Sequence, residues 1–247
     1  MAGTSAERQE NGVIRAINEA FKKNKKNPIT VVAGKTKFFG VVSAEKYTGR
    51  QATGSEPYTD IVITSMIKNK PMTYNLSLKG EEAASLAGGG LRGLELIIPG
   101  IGKKFMQTAH KYLVEDMKLN PGDKVPDIYG KISGPSKIKI VRGNQQIGGP
   151  IDYMYIGKME VSSQYDAKNN ILTFKNGEIV DVETYARTHE LYFRLRARRI
   201  DQRFDPSAKD STNTPKIYGK SPSRGDSAGR IVITDDVPRN AEVVRIA

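Results

Sequence analysis

The stretches YTDIVITSM (Tyr58 to Met66) and TYNLSLK (Thr73 to Lys79) decide the fold of this chain. Both contain the β-branched and aromatic residues that strands favour, and a polar turn around Lys68 to Pro71 separates them. This pattern predicts two strands joined as a β-hairpin. In the second stretch, from Tyr74 to Lys79, apolar and polar residues alternate, so we predict that this strand has one apolar and one polar face.

The register of this hairpin brings polar residues together. If the turn centres between Asn69 and Lys70, antiparallel pairing places Asp60 directly opposite Lys79. Ser77 shares the face of Lys79, because side chains two residues apart in a strand point the same way. We therefore predict one polar face that carries Asp60, Ser77 and Lys79.

An amphipathic helix is predicted ahead of the hairpin, over Ser5 to Lys26, because apolar residues recur there at helical spacing and Pro28 follows. Glu10 lies near its start, where an acidic side chain commonly interacts with the helix dipole. Two further strands are predicted over Ile29 to Ala33 and Phe38 to Val42.

The composition favours a polyanionic partner. Lys and Arg number 39 against 27 Asp and Glu, which gives a net charge of +12, and such a surplus is typical of nucleic-acid-binding proteins. A basic protein without such a partner is the alternative. The chain has no cysteine, which excludes disulfides and thiolate metal sites. We expect its two histidines to be structural, so carboxylates are the ligands left for a metal ion.

With Glu10 on a helix, Asp60 within GSEPYTDIVI and Lys79 within YNLSLKG, the chain resembles the PD-(D/E)xK nuclease superfamily. The same segments, followed by a glycine-rich run, are similar to those of a group of uncharacterised bacteriophage proteins. The resemblance extends from Glu7 to about Met117. It implies an α/β fold with a restriction-endonuclease-like core, in which helices flank a mixed central sheet.

The resemblance also implies a Mg²⁺- or Mn²⁺-dependent DNA endonuclease that hydrolyses phosphodiester bonds. Asp60 and Glu10 would hold the metal, and Lys79 would position the attacking water or stabilise the transition state. Ser77 would line the same catalytic site, but it stands where the family has an acidic residue, and a neutral hydroxyl is a weaker ligand. The acids that could replace the missing carboxylate are Glu10, Glu81 and Glu95.

If no acid replaces it, the alternative is a phage virion or head-completion protein with a nuclease-like fold that binds DNA without cutting it. A non-catalytic nucleic-acid-binding protein without a virion role is a second alternative. We expect DNA as the partner, with virion neighbours or further copies of the chain as additional candidates. The N-terminus lacks a signal-peptide pattern and no apolar run approaches about 18 residues. We therefore expect no membrane association and a location in the cytoplasm of the host bacterium, or in the virion.

The sequence suggests three consecutive regions: a nuclease-like core (1–120), a loop and β-rich insertion (121–180), and basic C-terminal strands that complete the domain (181–247). In the last region, Leu191 to Arg198 alternates apolar residues with mostly basic ones, which favours a half-buried strand with a basic face. The predicted nucleic-acid-binding residues are Arg194, Arg196, Arg198, Arg199 and Arg203. The alternative is that these arginines pair with acids of the protein itself.

Overall fold

The structure is a computed structural model that describes residues 5–50, 52, 56–81, 85–86, 90–196, 203–207, 220–221, 225–226, 230–235 and 237–246. Within them the strands are β1 (Ile29–Ala33), β2 (Thr36–Lys46), β3 (Ile61–Ile67), β4 (Lys70–Gly80), β5 (Ser85–Leu86), β6 (Ile128–Ile132), β7 (Tyr153–Gly157), β8 (Ser163–Asp166), β9 (Ile171–Phe174), β10 (Gly177–Asp181), β11 (Leu191–Arg196), β12 (Lys220–Ser221), β13 (Gly225–Asp226), β14 (Arg230–Thr234) and β15 (Glu242–Val244). The helices are α1 (Ser5–Lys23), α2 (Gly90–Ile97), α3 (Ile101–Lys111), α4 (Pro135–Arg142) and α5 (Val182–Thr188), with a π-helical turn at Tyr112–Asp116 and a 3₁₀ turn at Gln145–Ile147. None of these described helices has the length and apolar character needed to cross a bilayer.

The chain forms two compact units, each built from two separate stretches. Met1–Ala84 combines with Val141–Thr188, and Ser85–Ile140 combines with His189–Ala247. This division differs from the three consecutive regions suggested by the sequence. Its physical basis is strand pairing between distant parts of the chain, because β7 pairs with β4, β9 with β1, and β11 with β6.

The described residues of the first unit contain a mixed eight-stranded sheet in the order β10-β7-β4-β3-β2-β1-β9-β8. The pairs β1–β2, β2–β3 and β3–β4 are antiparallel, whereas β7 joins β4 in parallel and β9 joins β1 in parallel. α1 packs against β2, and α5 packs against β10 and β7. The expected α/β class, with helices flanking a mixed sheet, is therefore confirmed. The predicted β-rich insertion contributes β7 to β10 to this same sheet.

Helix α1 is attached to the sheet by an apolar stripe and by a reciprocal amide contact. Val13 and Ile17, four residues apart on one face, are fully buried in the core of the unit. Asn18 Nδ2 donates to the Ala44 carbonyl at 2.8 Å, and the Ala44 N–H donates to Asn18 Oδ1 at 3.0 Å. These contacts hold the early turns of α1, including Glu10, beside the end of β2.

The turn of the β3–β4 hairpin lies one residue earlier than predicted. Lys68 and Asn69 form it, with φ angles of 50° and 61°, whereas the sequence suggested a centre between Asn69 and Lys70. Two-residue hairpin turns of the I′ type need positive φ at both positions, and Asn adopts positive φ more readily than most residues. The backbone requirement at Asn69 therefore sets the position of the turn.

This turn changes the register of the pair by two residues. Ile61 pairs with Leu76, so Asp60 lies beside Ser77 and not opposite Lys79. The predicted direct pairing of Asp60 with Lys79 was wrong. The antiparallel hairpin itself is confirmed.

The described residues of the second unit contain a five-stranded sheet in the order β15-β6-β11-β14-β5 and the separate pair β12–β13. β11 lies between β6 and β14 and is antiparallel to both. Its apolar residues are buried, while Tyr192 and Arg194 are half-exposed. The predicted strand is confirmed over Leu191–Arg196 and its half-buried pattern over 191–195, and Arg198 lies outside the described residues.

Candidate functional site

One pocket of the first unit brings together three of the four predicted catalytic residues, Glu10, Asp60 and Lys79. It has a volume of about 350 Å³ and lies where the first turns of α1, the end of β2, the segment before β3 and the end of β4 meet. Its charged lining residues are Glu7, Glu10, Lys46, Glu56, Asp60 and Lys79. Four carboxylates and two ammonium groups thus border one space, a donor set suited to a hydrated divalent cation and a phosphate.

Asp60 is held at this pocket by β4. Its Oδ2 accepts hydrogen bonds from the Leu78 N–H at 2.5 Å and from Ser77 Oγ at 3.1 Å. Its own N–H donates to the Leu76 carbonyl at 2.9 Å. Both side-chain bonds end on Oδ2, so they orient the carboxylate without using Oδ1.

Burial raises the pKa of Asp60 above its ordinary value. Desolvation is the largest cause and the nearby charge of Glu10 adds to it. The positive charge of Lys79 and the hydrogen bonds to Oδ2 act in the opposite direction. The desolvation effect exceeds them, so burial in the pocket disfavours the ionised form of Asp60.

Glu10 is largely buried and already has a cationic partner. Lys46 Nζ lies 2.8 Å from Glu10 Oε2, and the side chains are 59% exposed for Lys46 and 15% exposed for Glu10. The hydrogen bond to Glu10 and the charge of that carboxylate raise the pKa of Lys46. The lysine therefore stays protonated and acts as the counterion of Glu10.

Lys79 is positioned by a buried amide of α1. Gln9, which is 2% exposed, donates through Nε2 to the Lys79 carbonyl at 3.1 Å and to the Gly157 carbonyl at 2.9 Å. These bonds tie α1 to the ends of β4 and β7. Because Gln9 and Glu10 are neighbours, the same bonds fix the separation between Glu10 and the backbone of Lys79.

Ser77 supports Asp60 and does not itself line the pocket. It is 1% exposed, and its hydroxyl donates to the Asp60 carboxylate. The family pattern has a carboxylate at this position. Here a serine takes its place, and the hydroxyl group of this serine orients the Asp60 carboxylate.

The three acids that could replace the missing carboxylate lie in different surroundings. Glu10 lines the pocket, and Glu81 is an exposed turn residue directly after β4. Glu95, in the second unit, accepts hydrogen bonds from the N–H groups of Gly100 at 2.7 Å and Lys103 at 2.9 Å. Glu95 therefore stabilises the start of α3.

The donor set decides which kind of metal site the pocket could form. Among the described residues, no group of three or more His, Asp or Glu side chains is arranged to hold a metal ion. Mg²⁺ commonly binds through one or two carboxylates, while waters and substrate phosphates complete its shell. Asp60 and Glu10 are the predicted ligands that line this pocket, and they could supply two such oxygen donors.

The predicted nucleic-acid-binding arginines belong to the second unit. Arg194 donates from Nη2 at 2.6 Å and from Nε at 2.9 Å to Asp127 Oδ2, and its guanidinium lies 5.6 Å from the centre of the Tyr129 ring. Arg194 therefore pairs with an acid of the protein itself, which was the alternative to DNA binding. Arg203 is exposed. Arg196 ends β11, and Arg198 and Arg199 lie outside the described residues.

Two residues of the site escaped the sequence analysis. β2 was expected to end at Val42, but it continues to Lys46 and delivers that lysine to Glu10. Gln9 is a buried polar residue four positions before Val13, on the apolar stripe of α1. A polar side chain at such a core position was the signal that could have revealed Gln9, because buried polar groups require hydrogen-bond partners.

No protein-family model, curated protein or solved structure matches this chain. The chemistry assigned to the pocket therefore rests on the geometry and charges of its own residues.

Proposed function

We propose that this chain is a Mg²⁺-dependent DNA endonuclease with a restriction-endonuclease-like core, encoded by a bacteriophage. The observation that carries the proposal is that Glu10, Asp60 and Lys79, from three separate segments, line one pocket. Two carboxylates beside a lysine are the groups that metal-dependent phosphodiester hydrolysis requires. DNA is proposed as the substrate because the net charge of +12 favours a polyanion.

The order of the elements supports a site of the PD-(D/E)xK type. Glu10 lies on the first helix, Asp60 immediately precedes β3, and Lys79 lies near the end of β4. β3 and β4 are antiparallel neighbours, so Asp60 and Lys79 are close in space. The departure from the family pattern is Ser77, which binds Asp60 and adds no carboxylate.

Asp60 and Glu10 would hold the cation, which would supply Lewis-acid stabilisation of the phosphate and a lowered pKa for the attacking water. Asp60 is prepared for this role because the Leu78 N–H and the Ser77 hydroxyl orient its carboxylate through Oδ2. Glu10 is prepared because the packing of α1 and the bonds of Gln9 fix its backbone. The backbone of the site would then need little rearrangement on substrate binding, and the main side-chain change would be at Lys46, which is paired with Glu10.

Lys79 would stabilise the negative charge that develops on the phosphate. Within the described residues Lys79 forms no ion pair, so its ammonium group is available to a ligand. The positive charge of Lys79 acts to lower the pKa of Asp60, so the ammonium group and the carboxylate are close enough to interact. A phosphate held between them would be neutralised from both sides by the lysine and by a cation on Asp60.

The decisive experiment is a plasmid-nicking assay of the full chain with Mg²⁺, Mn²⁺ or EDTA. Cleavage should require the metal, and Asp60→Asn and Lys79→Ala should each lower the rate by about 100-fold or more, because each removes several kcal/mol of transition-state stabilisation. Glu45→Gln, an exposed acid on β2 outside the pocket lining, is the matched control and should cut normally. A wild-type protein that neither cuts nor binds DNA contradicts the proposal.

A second candidate function is a nuclease-like protein that holds DNA without cutting it, in a virion or elsewhere. It is favoured by the Lys46–Glu10 ion pair and by Ser77, because a carboxylate neutralised by lysine and a missing acid both weaken a metal site. DNA binding that is unaffected by Mg²⁺, Mn²⁺ or EDTA, without any nicking, would select this function.

A further inference from the structure

A groove of about 740 Å³ runs along the outer side of α1. One wall is α1 itself, with Arg8, Asn11 and Arg15, and the other is the segment after β7, with Met159 and Val161. Gly12 makes the close approach of the walls possible, because a Cβ atom there would lie 3.0 Å from Val161 Cβ. The groove is therefore a shaped space with cationic and apolar parts.

Helical periodicity explains why the two arginines face outward together. Val13 and Ile17 point into the core, which leaves Arg8 and Arg15, two turns apart, exposed on another side of α1. Seven residues of helix separate the two positions by about 10 Å along the axis. Within the described residues, neither arginine forms an ion pair with an acid, so both guanidinium groups are available to a ligand.

One wall of the groove lies next to the end of β4. Met159 lies over Gly80, since a Cβ atom at Gly80 would lie 2.6 Å from the terminal methyl group of Met159. Gly80 directly follows Lys79, and Gln9 joins the Lys79 carbonyl to that of Gly157, two residues before Met159. The Met159 wall of the groove therefore lies beside the residue that follows Lys79.

We propose that this groove binds the sugar–phosphate backbone of a DNA strand on one side of the bond to be cut. Arg8 and Arg15 would neutralise separate phosphates, because their positions are about 10 Å apart along the helix axis. Each guanidinium group can bind phosphate oxygens in bidentate fashion. Met159 and Val161 would contact the apolar parts of the sugars. Glu160 also lines the groove, and its negative charge would repel the phosphates of the ligand. Removal of this charge should therefore strengthen DNA binding. The nature of the ligand rests on the proposed function, but the test measures binding alone.

The test is fluorescence anisotropy of a labelled 30-base DNA duplex in EDTA over a range of salt concentrations. The variant is Arg8→Gln with Arg15→Gln, and the control is Lys168→Gln with Lys175→Gln, two exposed lysines of the same unit outside the groove. Loss of two phosphate contacts should lower the log–log salt slope by about 1.8 and weaken binding at low salt by about 10-fold or more. The control should show a clearly smaller change.

Two further variants make the outcome specific. Glu160→Gln should tighten binding, and Arg8→Lys with Arg15→Lys should retain most of the wild-type salt slope, because lysine keeps the charge. Equal binding by the double Gln variant and its control overturns the groove proposal, as does a wild-type protein that does not bind DNA. If the wild type binds DNA through Arg8 and Arg15 but never cuts it, the groove stands and the proposed nuclease function fails.

Discussion

Lys46 Nζ lies 2.8 Å from Glu10 Oε2, so the largely buried carboxylate of the candidate site carries a lysine as its counterion. The same carboxylate is a proposed metal ligand. A divalent cation that reaches Glu10 must therefore displace an ammonium group or share the carboxylate with it. Because Lys46 is 59% exposed, its side chain can leave Glu10 and still remain in contact with water.

Replacing Lys46 with Met should strengthen metal binding in the absence of DNA. Removal of a competing cation from Glu10 should tighten Mn²⁺ binding by about tenfold, which corresponds to about 1.4 kcal/mol. The free energy of unfolding should fall by about 1 kcal/mol or more without metal, because the largely buried Glu10 carboxylate loses its counterion. Isothermal titration calorimetry with MnCl₂ and urea denaturation measure the two quantities.

Lys37→Met is the matched control for this prediction, since Lys37 is an exposed lysine of the same strand outside the pocket lining. Its Mn²⁺ affinity should equal that of the wild type. Equal Mn²⁺ affinities for Lys46→Met and Lys37→Met would show that Lys46 does not compete with metal at Glu10.

Asp60→Asn should remove cleavage and yet favour folding at neutral pH. A carboxyl group whose pKa is raised by burial contributes stability at pH values below its unfolded pKa, and this contribution is lost as the pH rises through the folded pKa. The asparagine does not ionise, and its amide oxygen can still accept from Leu78 and Ser77. The stability of the variant relative to the wild type should therefore increase from acid pH, near the ordinary pKa of Asp, to neutral pH.

Urea denaturation of wild type and Asp60→Asn between pH 4 and pH 8 measures this difference. The comparison of two proteins cancels the groups that titrate equally in both. A stability difference that is constant with pH would mean that the fold does not raise the pKa of Asp60. One that favours the wild type increasingly at high pH would mean that the fold stabilises the ionised carboxylate.

Ser77→Asp should make stability dependent on metal. A second carboxylate beside Asp60, at a position that is 1% exposed, should cost about 3 kcal/mol at neutral pH, because a buried charge would lie next to a like charge. Mn²⁺ should recover part of this loss by neutralising both groups. Thermal melting with and without MnCl₂ is the measurement, and faster nicking than that of the wild type would support the family pattern.

Ser77→Ala provides the comparison, since it removes the hydrogen bond to Asp60 and adds no charge. It should cost about 1 kcal/mol and leave the response to Mn²⁺ unchanged. If Mn²⁺ raises the melting temperatures of both variants equally, the carboxylate at this position does not reach the cation.

Arg194→Gln should affect folding more than DNA binding. The arginine pairs with Asp127 and lies against the Tyr129 ring, so its loss should cost about 1 kcal/mol and leave the salt slope of DNA binding unchanged. Asp127→Asn should cause a similar loss of stability. The exposed Arg203 is the comparison for DNA binding, since Arg203→Gln should lower the salt slope if the predicted basic face contacts DNA. If Arg194→Gln lowers the salt slope by about one unit, Arg194 contacts a DNA phosphate.

The sequence by itself determined the features that depend on neighbouring residues. Helical spacing of apolar residues predicted α1, and alternation predicted β4 and the half-buried strand β11. The same local patterns identified Asp60 and Lys79 as residues of one hairpin. Each of these features follows from the period of side chains along a single element, which the sequence displays directly.

Tertiary structure decided the register, the partners of each charge and the composition of the two units. The turn at Lys68 and Asn69, with its positive φ angles, sets a register in which Asp60 lies beside Ser77 and not opposite Lys79. The extension of β2 brings Lys46 to Glu10. The pairing of β7 with β4 and of β9 with β1 joined distant segments into one sheet. The pairing of distant strands depends on which of many compatible strand edges gives the best burial and hydrogen bonding, so the complete fold selects it.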